Sequence, residues 1–164
     1  MKILFAYKAF GAPDIEKLKK SLDVQQRYKE TSSYDKLLAT DSVTPDFPGM
    51  PAVRDKIAYT LRTCNFSKLR NMSIDYARDN GYSHVLLLDS DSVVISMQDV
   101  RDGKHFTKVI PDRSLSRSTR IYAYYWFLIH SDLYYLRWDE KFIGWGWEDV
   151  DYQDNVLRAN GARY

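Results

Sequence analysis

The segment that most constrains the fold is residues 84–94, HVLLLDSDSVV. Residues 85–88 form an unbroken apolar run, which is typical of a strand buried on both faces of a parallel, helix-covered sheet. The run stops at Asp89 and Asp91, and two carboxylates there are costly unless a partner compensates their charge. Ligands collect at the carboxyl ends of strands in open α/β sheets. A divalent cation shared with substrate phosphates would satisfy the site, and a plain Asp-Ser turn is the alternative.

A predicted helix directly precedes this strand and places it in a β-α-β unit. Residues 67–80 carry apolar side chains at helical spacing, namely Leu69, Met72, Tyr76 and Ala77. Ser67 is a candidate N-cap, and Asn80 with Gly81 is expected to close the helix with a left-handed residue. The alternation predicts an α/β fold with a mostly parallel sheet covered by helices.

Other segments extend the same pattern. Residues 3–7 indicate a buried first strand, and Asp14 is a candidate N-cap for the helix that follows. Residues 37–40 indicate a short second strand, which Asp41 follows directly. Asp41 therefore occupies the same position after its strand as Asp89 does after residues 85–88. Apolar spacing predicts a helix over residues 52–62. Strands are also predicted over residues 106–110 and 121–129, followed by a short helix capped by Ser131 or Asp132.

Composition limits the classes of function. The 164 residues, 45% of them hydrophobic, predict one globular domain over residues 1–164. A formal net charge of +2 is too near zero to indicate nucleic acid or an anionic membrane as the main partner. Cys64 is the only cysteine, which excludes a disulfide within the chain. The chain shows neither a signal-peptide pattern nor an apolar run of transmembrane length, so we expect a cytoplasmic protein.

A second group of chemistry-bearing residues lies in residues 138–151, WDEKFIGWGWEDVD. Trp145 and Trp147 alternate with glycines, and Glu148 and Asp149 follow at once. Carboxylates beside exposed tryptophan rings are typical of a carbohydrate subsite, and an ionised acid there can act as general base toward a hydroxyl. The alternative is a tryptophan-anchored core turn before a helix whose first-turn acids suit the helix dipole.

Together the two groups resemble the GT-A class of nucleotide-sugar glycosyltransferases, in particular the β-1,4-galactosyltransferases and chondroitin-polymerase-type bacterial enzymes. Three segments carry the resemblance in the family's order. They are CNFSKLRNM at residues 64–72, LLLDSD at 86–91, and FIGWGWEDVDY at 142–152 with LRANG at 157–161. The G-W-G-x-E-D match is the specific part, whereas a D-x-D pattern is short and common.

The resemblance implies a donor side with a GT-A fold around it. Asp91 would bind Mn²⁺ or Mg²⁺ directly, and Asp89 would contact the ribose, or the metal through water. Asp41 would lie near the uracil of a UDP-sugar, while Lys68 and Asn71 would support the donor side of the site.

The resemblance also implies an acceptor side. Asp149 would be the catalytic base, with Glu148 and Trp145 holding the acceptor sugar. Trp147 stands where the family has a second glycine, so the acceptor pocket is expected to differ in shape. The implied reaction is an inverting transfer of a sugar from a UDP-sugar to a hydroxyl, with one base opposite a metal-stabilised leaving diphosphate.

One departure leaves alternatives open. The family supplies a further metal-binding histidine after the Glu-Asp helix, but His84, His105 and His130 all precede it. The metal site would then be weaker, use water, or be completed from outside the chain. A degenerate relative that binds a nucleotide-sugar or glycan without transfer stays open, as does a metal enzyme such as a nucleotidyltransferase. The short length and absent anchor suggest a microbial or viral version.

Overall fold

A computed structural model describes residues 2–94, 96–97, 127–144, 146 and 148–159. Strands and helices alternate along most of these residues, as the sequence predicts. The elements in chain order are β1 (Ile3–Lys8), α1 (Gly11–Gln25), α2 (Lys29–Ser32), β2 (Asp35–Thr40), β3 (Ala52–Arg54), α3 (Phe66–Asp79), β4 (His84–Asp89), β5 (Phe127–His130), a 3₁₀ helix (Ser131–Leu133) and α4 (Glu148–Ala159).

The five described strands form one sheet in the order β3-β2-β1-β4-β5. The first four run parallel to one another, and β5 runs antiparallel to β4. This confirms the α/β class and the mostly parallel sheet. The chain leaves β1 toward β2 and β3 on one side and returns to β4 on the other. The carboxyl ends of β1 and β4 therefore flank a topological switch point, the usual ligand position in such sheets.

Helices cover both faces of the central strands, whose alternate side chains point to opposite sides. One face packs against α3 through a buried cluster that includes Leu4, Ala6, Val85, Leu87, Ile74 and Ala77. The other face packs against α1 through a cluster that includes Phe5, Tyr7, Leu86, Leu88 and Leu18. Because both faces are buried, the polar residues that end these strands gather at the edge of the sheet.

The helix predicted over residues 52–62 is wrong. Its first residues form β3, which pairs with the carboxyl end of β2, and the chain then turns. Val53 lies opposite Ala39 in that parallel pair. Ile57 and Leu61, whose spacing suggested a helical stripe, are exposed. Backbone pairing with the sheet outweighed the weak local preference for helix.

Three predicted helix caps are also wrong, two of them on the long helices α1 and α3. α1 begins at Gly11, so Asp14 lies within its first turn instead of at its cap. Asn65 caps α3 in place of Ser67, because its side-chain oxygen accepts a hydrogen bond from the backbone N–H of Lys68 at 2.8 Å. Asparagine is as good an N-cap as serine, so the sequence alone does not decide between neighbouring candidates.

The 3₁₀ helix at Ser131–Leu133 is capped by His130 in place of Ser131 or Asp132, because the His130 Nδ1 accepts a hydrogen bond from the backbone N–H of Asp132 at 3.1 Å. The other elements agree with their predictions where the structure describes them. Gly81 after α3 has a φ of 67°, the left-handed conformation expected there. β5 covers the end of the strand predicted over residues 121–129, and the strand predicted over residues 106–110 lies outside the described residues. No helix among the described ones is long and apolar enough to cross a membrane.

Candidate functional site

The candidate site begins where β1 and β4 end. Lys8 and Asp89 are the last residues of these strands and lie opposite each other in the parallel pair. The Lys8 ammonium lies 2.9 Å from Asp89 Oδ1 and 4.1 Å from the ring centroid of Phe66. Burial alone would raise the pKa of Asp89, but the charges of Lys8 and Arg70 outweigh it and hold that pKa below its ordinary value. Asp89 is therefore an ionised carboxylate at the switch point.

A tight turn after β4 places Asp91, the second acid of the D-x-D segment, at the protein surface. The backbone N–H of Ser92 donates to the carbonyl oxygen of Asp89 at 3.0 Å. Ser90 is buried, whereas Asp91 is exposed. Within the described part of the chain, the Asp91 carboxylate makes no hydrogen bond or ion pair. Asp89 thus pairs with Lys8, while the Asp91 carboxylate is exposed to solvent.

The first turn of α4 approaches the same region through Arg70 of α3. Arg70 Nη1 donates a hydrogen bond to Glu148 Oε1 at 3.1 Å and lies 2.6 Å from Asp149 Oδ1. The side chains of Arg70 and Glu148 are only 5% and 7% exposed, while that of Asp149 is 27% exposed. Asp149 Oδ1 is buried and, despite its contact with the cation, receives no aligned hydrogen bond from a described residue. The Arg70 guanidinium therefore contacts both acids, but only Glu148 accepts an aligned hydrogen bond from it.

In this cluster the pKa values of Asp149 and of Arg70 are both raised, for different reasons. Burial is the largest influence and raises the pKa of Asp149; Arg70 and Lys8 lower that pKa but do not cancel the rise, to which Glu148 and Asp89 add. Burial lowers the pKa of Arg70, but the surrounding carboxylates outweigh it and raise that pKa. Arg70 consequently stays charged, and Asp149 accepts a proton more readily than an ordinary aspartate. A raised pKa suits a general base.

Asn71, the next residue along α3, fixes the segment that leads to α4. Its amide nitrogen donates to the Trp138 carbonyl oxygen at 3.0 Å and to Glu140 Oε1 at 2.8 Å. Its oxygen accepts from the backbone N–H of Trp138 at 3.0 Å. The Trp138 ring stacks on Tyr152 of α4, with centroids 3.3 Å apart and planes 5° apart. Consecutive residues of α3 thus hold both the first turn of α4 and its approach.

Lys68, another predicted donor-side residue, pairs with a buried acid. Its ammonium lies 2.6 Å from Asp55 Oδ1, and the Tyr59 hydroxyl donates to Asp55 Oδ2 at 2.6 Å. Burial by itself raises the pKa of Asp55, but these hydrogen bonds prevail and lower it. The Lys68–Asp55 pair closes the loop after β3, beside the carboxyl end of β2.

Asp41 follows β2 directly, as predicted, and is almost fully buried. Its Oδ1 accepts hydrogen bonds from the backbone N–H and the hydroxyl of Thr44, and its Oδ2 accepts from the backbone N–H of Tyr59 at 2.8 Å. These bonds outweigh the effect of burial and lower the pKa of Asp41. Both carboxylate oxygens therefore hold the loop together.

The predicted site residues are brought together only in part. Acids that follow β2 and β4 share one edge of the sheet, and Arg70 connects the Glu148–Asp149 pair to this edge. Asn71 and Lys68 lie on α3 beside it, with side chains engaged by the protein itself. Trp145 and Trp147 lie outside the described residues.

The sequence patterns did not identify two cations of the site, Lys8 and Arg70, although the sequence around each contains a local indication. Lys8 directly follows the apolar run of β1, as the first acid of the D-x-D segment follows that of β4. Arg70 lies four residues before Ile74 and seven before Ala77, on the buried stripe of α3. A charge on a buried stripe requires a partner, but its partners are 78 and 79 positions away along the chain.

The carboxylates around β4 allow a specific kind of metal site. Across the described residues, no group of three or more His, Cys, Asp or Glu side chains is placed to hold a metal ion. Among the described residues the Asp91 carboxylate has no partner, and Asp89 has one oxygen that is not paired with Lys8. Mg²⁺ is commonly bound by one or two carboxylates together with substrate phosphates and water, and Mn²⁺ prefers the same ligands. The donor set fits a cation completed by substrate, and it does not fit an all-protein cage.

No known protein-family model matches this chain, and no curated protein shows significant sequence similarity to it. Functional inference therefore depends on the residues of the chain and on their geometry.

Proposed function

We propose that this chain is a metal-dependent, inverting glycosyltransferase of GT-A type that moves a sugar from a UDP-sugar to a hydroxyl acceptor. One observation carries the proposal. Asp89, at the carboxyl end of β4, lines one small cavity with Arg70, and Arg70 Nη1 lies 2.6 Å from Oδ1 of Asp149 in the first turn of α4. The proposed donor-side acid and the proposed base are thereby connected through one cation beside the switch point of a mostly parallel sheet, which supports the proposal.

The donor side is assigned to the residues around β4. Asp91 is exposed and unpaired within the described part of the chain, so it can bind a divalent cation directly. Asp89, held by Lys8, would orient the ribose or a metal-bound water. When bound, Mn²⁺ or Mg²⁺ supplies the positive charge that stabilises the leaving diphosphate. Lys8 places a further positive charge at the same strand end.

The acceptor side is assigned to α4. The oxygen of the acceptor hydroxyl bonds to the anomeric carbon of the donor sugar while Asp149 takes the hydroxyl proton. The bond from that carbon to the diphosphate oxygen breaks in the same step. Proximity of an ionised acid to the attacking hydroxyl is what such a step requires. The partial exposure of Asp149 supports this role, since an acceptor can reach it. Glu148 anchors Arg70, and Trp145 and Trp147 are the proposed sugar-stacking residues.

A thermal-shift experiment tests the donor assignment. Because a ligand that binds only the folded state stabilises it, UDP and UDP-sugars should raise Tm, and more so with Mn²⁺ than without it. Asp91→Asn should lose the Mn²⁺-dependent part of the shift. Asp132→Asn is the matched control, because Asp132 is exposed and follows β5 at the other end of the sheet. Absence of a shift with every UDP-sugar tried would overturn the proposal.

A transfer assay tests the base assignment. With a panel of mono- and disaccharide acceptors, Asp149→Asn should slow acceptor-dependent UDP release by about 100-fold or more, with UDP binding retained. Unchanged transfer in a folded Asp149→Asn variant would contradict the role of Asp149.

The alternative function is nucleotide-sugar or glycan binding without transfer. The small number of carboxylates offered to a metal within the described residues favours it. UDP binding with Mn²⁺, but no UDP release with any acceptor, would select this alternative.

A further inference from the structure

Arg70 is a charged residue in an apolar setting. Its guanidinium carbon lies 5.5 Å from the Trp138 ring centroid and 6.0 Å from that of Phe127. Its side chain is 5% exposed. A buried cation is costly unless carboxylates and hydrogen bonds compensate it, and here both partners come from the first turn of α4. The position of that turn and the charge of Arg70 therefore depend on each other.

The two partners of Arg70 have different roles. Glu148 is buried and accepts an aligned hydrogen bond from Nη1. Asp149 touches the same nitrogen but lacks such a bond, and its side chain is partly exposed. Glu148 thus anchors the guanidinium, and the guanidinium in turn provides positive charge to Asp149 without tying up its hydrogen-bonding capacity. An arginine suits this task because its planar group offers several donors in fixed directions, whereas a lysine is a single point charge.

We propose that Arg70 is the positioning residue for Asp149: anchored by Glu148, it fixes where the Asp149 carboxylate lies and keeps that carboxylate ionised. The inference rests on the proposed function, in which Asp149 is the base.

The described charges that face Asp149 explain why Arg70 is needed. They are Arg70 from α3, Lys8 from β1, Asp89 from β4 and Glu148 on the same helix. Without Arg70, three carboxylates would face Lys8 alone, and Lys8 is already paired with Asp89 at 2.9 Å. Close carboxylates with too little positive charge take up a proton. Asp149 would then be the acid to bind it, and a protonated acid cannot accept the proton of a hydroxyl.

Carbon-13 NMR of the full chain labelled at aspartate carboxyl carbons tests this inference. The Asp149 signal is assigned by its loss in Asp149→Asn, and its titration is followed in the wild type, Arg70→Lys and Arg70→Gln. We expect the Asp149 midpoint to rise by about one pH unit or more in Arg70→Gln and by less in Arg70→Lys. Arg78→Gln is the matched control, because Arg78 lies on the same helix as Arg70, is exposed, and pairs with Asp75 and Asp79. The control should leave the Asp149 midpoint unchanged.

An unmoved Asp149 midpoint in a folded Arg70 variant would overturn the inference. If Arg70→Gln does not fold, Arg70→Lys provides the comparison, with the smaller rise of the Asp149 midpoint as the expected result. The titration needs neither donor nor acceptor, so failure of UDP-sugars to bind would count against the proposed function alone. In a transferring enzyme, the acid limb of kcat/KM should move to higher pH together with the NMR midpoint, which loss of packing alone would not produce.

Discussion

Two acidic regions occupy the same edge of the sheet and differ in how their carboxylates are satisfied. After β2, Asp41 gives both oxygens to hydrogen bonds from Thr44 and Tyr59. After β4, Asp91 is exposed and makes no ion pair or hydrogen bond within the described residues. Position at a strand end is therefore not what separates a structural acid from a candidate functional one. The separation lies in whether the protein itself supplies the partners, because buried polar groups are normally paired.

The loop after β3 shows the same contrast. Asp55 is buried, and Lys68 and Tyr59 occupy both of its oxygens. In α4, Asp149 has a buried oxygen beside a cation but no aligned donor among the described residues. Satisfied acids stabilise a loop, whereas an incompletely satisfied one retains capacity for a ligand or a proton. Five variants would break or sharpen this comparison.

The largest expected effect is on the stability of the β2 loop. Asp41→Ala should lower the free energy of unfolding by about 3 kcal/mol, because the N–H groups of Thr44 and Tyr59 would lose their acceptor in a buried place. Urea denaturation measures the change. Asp46→Ala is the control on the same loop, since Asp46 is largely exposed, and should change stability little. A loss below about 1 kcal/mol for Asp41→Ala would show that its hydrogen bonds are not what holds the loop.

Asn71 should give the next largest effect. Asn71→Ala removes the hydrogen bonds that hold the backbone of Trp138 and should cost about 2 kcal/mol in urea denaturation. Asn155→Ala is the control, because that amide makes one weak contact, at 3.3 Å, with Asp151. Full stability of Asn71→Ala, combined with loss of UDP binding, would instead place Asn71 in the donor site, as the family resemblance implies.

Much of the fold follows from local patterns in the sequence. The apolar runs identify β1, β2 and β4, and helical spacing identifies α3, because burial on both faces of a strand leaves a readable signature. The segment of residues 52–62 was misread for a physical reason. Its apolar residues recur at helical spacing, yet β3 forms there because the edge of β2 offers hydrogen bonds that the spacing does not reveal.

The site is less predictable than the fold. The acids themselves stand out, because carboxylates after a buried strand or beside glycines are unusual. Their partners do not stand out, because Arg70 and Glu148 are separated by 78 positions and meet only in three dimensions. Whether an acid is structural depends on such long-range partners, so Asp41 and Asp91 look alike in the sequence and differ in the fold.

A smaller effect is expected in the pH dependence of stability. The lowered pKa of Asp55 means that the folded state binds fewer protons than the unfolded state near pH 4. Its contribution to stability is complete above the ordinary value of about 3.9 and is lost as pH falls through the lowered folded value. Asp55→Asn should therefore flatten the acid side of the stability curve by about 1 kcal/mol in urea denaturation from pH 5 to pH 3.

The contrasting region has the opposite sign. Because the pKa of Asp149 is raised, its ionisation costs stability as pH rises through that value. Asp149→Asn should thus keep the fall in stability at acid pH that Asp55 causes, and it should raise the free energy of unfolding at higher pH, where the wild-type carboxylate is ionised. Asp46→Asn, an exposed position on the loop after β2, is the control for the removal of a carboxylate as such. If stability fell between pH 5 and pH 3 as steeply in Asp55→Asn as in the wild type, Asp55 would not be an acid whose hydrogen bonds stabilise the loop.

Asp91 gives the smallest expected effect on stability and the most direct view of the comparison. An exposed acid without a partner in the described residues stabilises nothing, so Asp91→Asn should change the free energy of unfolding by less than about 0.5 kcal/mol. The same variant should lose the Mn²⁺-dependent shift produced by UDP, while Asp132→Asn retains it. A loss of more than about 1 kcal/mol would make Asp91 a structural acid like Asp41. Unchanged stability with an unchanged Mn²⁺ effect would leave the turn after β4 without a metal-binding role. Only a stable variant that no longer responds to Mn²⁺ supports the view that the protein leaves this carboxylate unpaired for a cation.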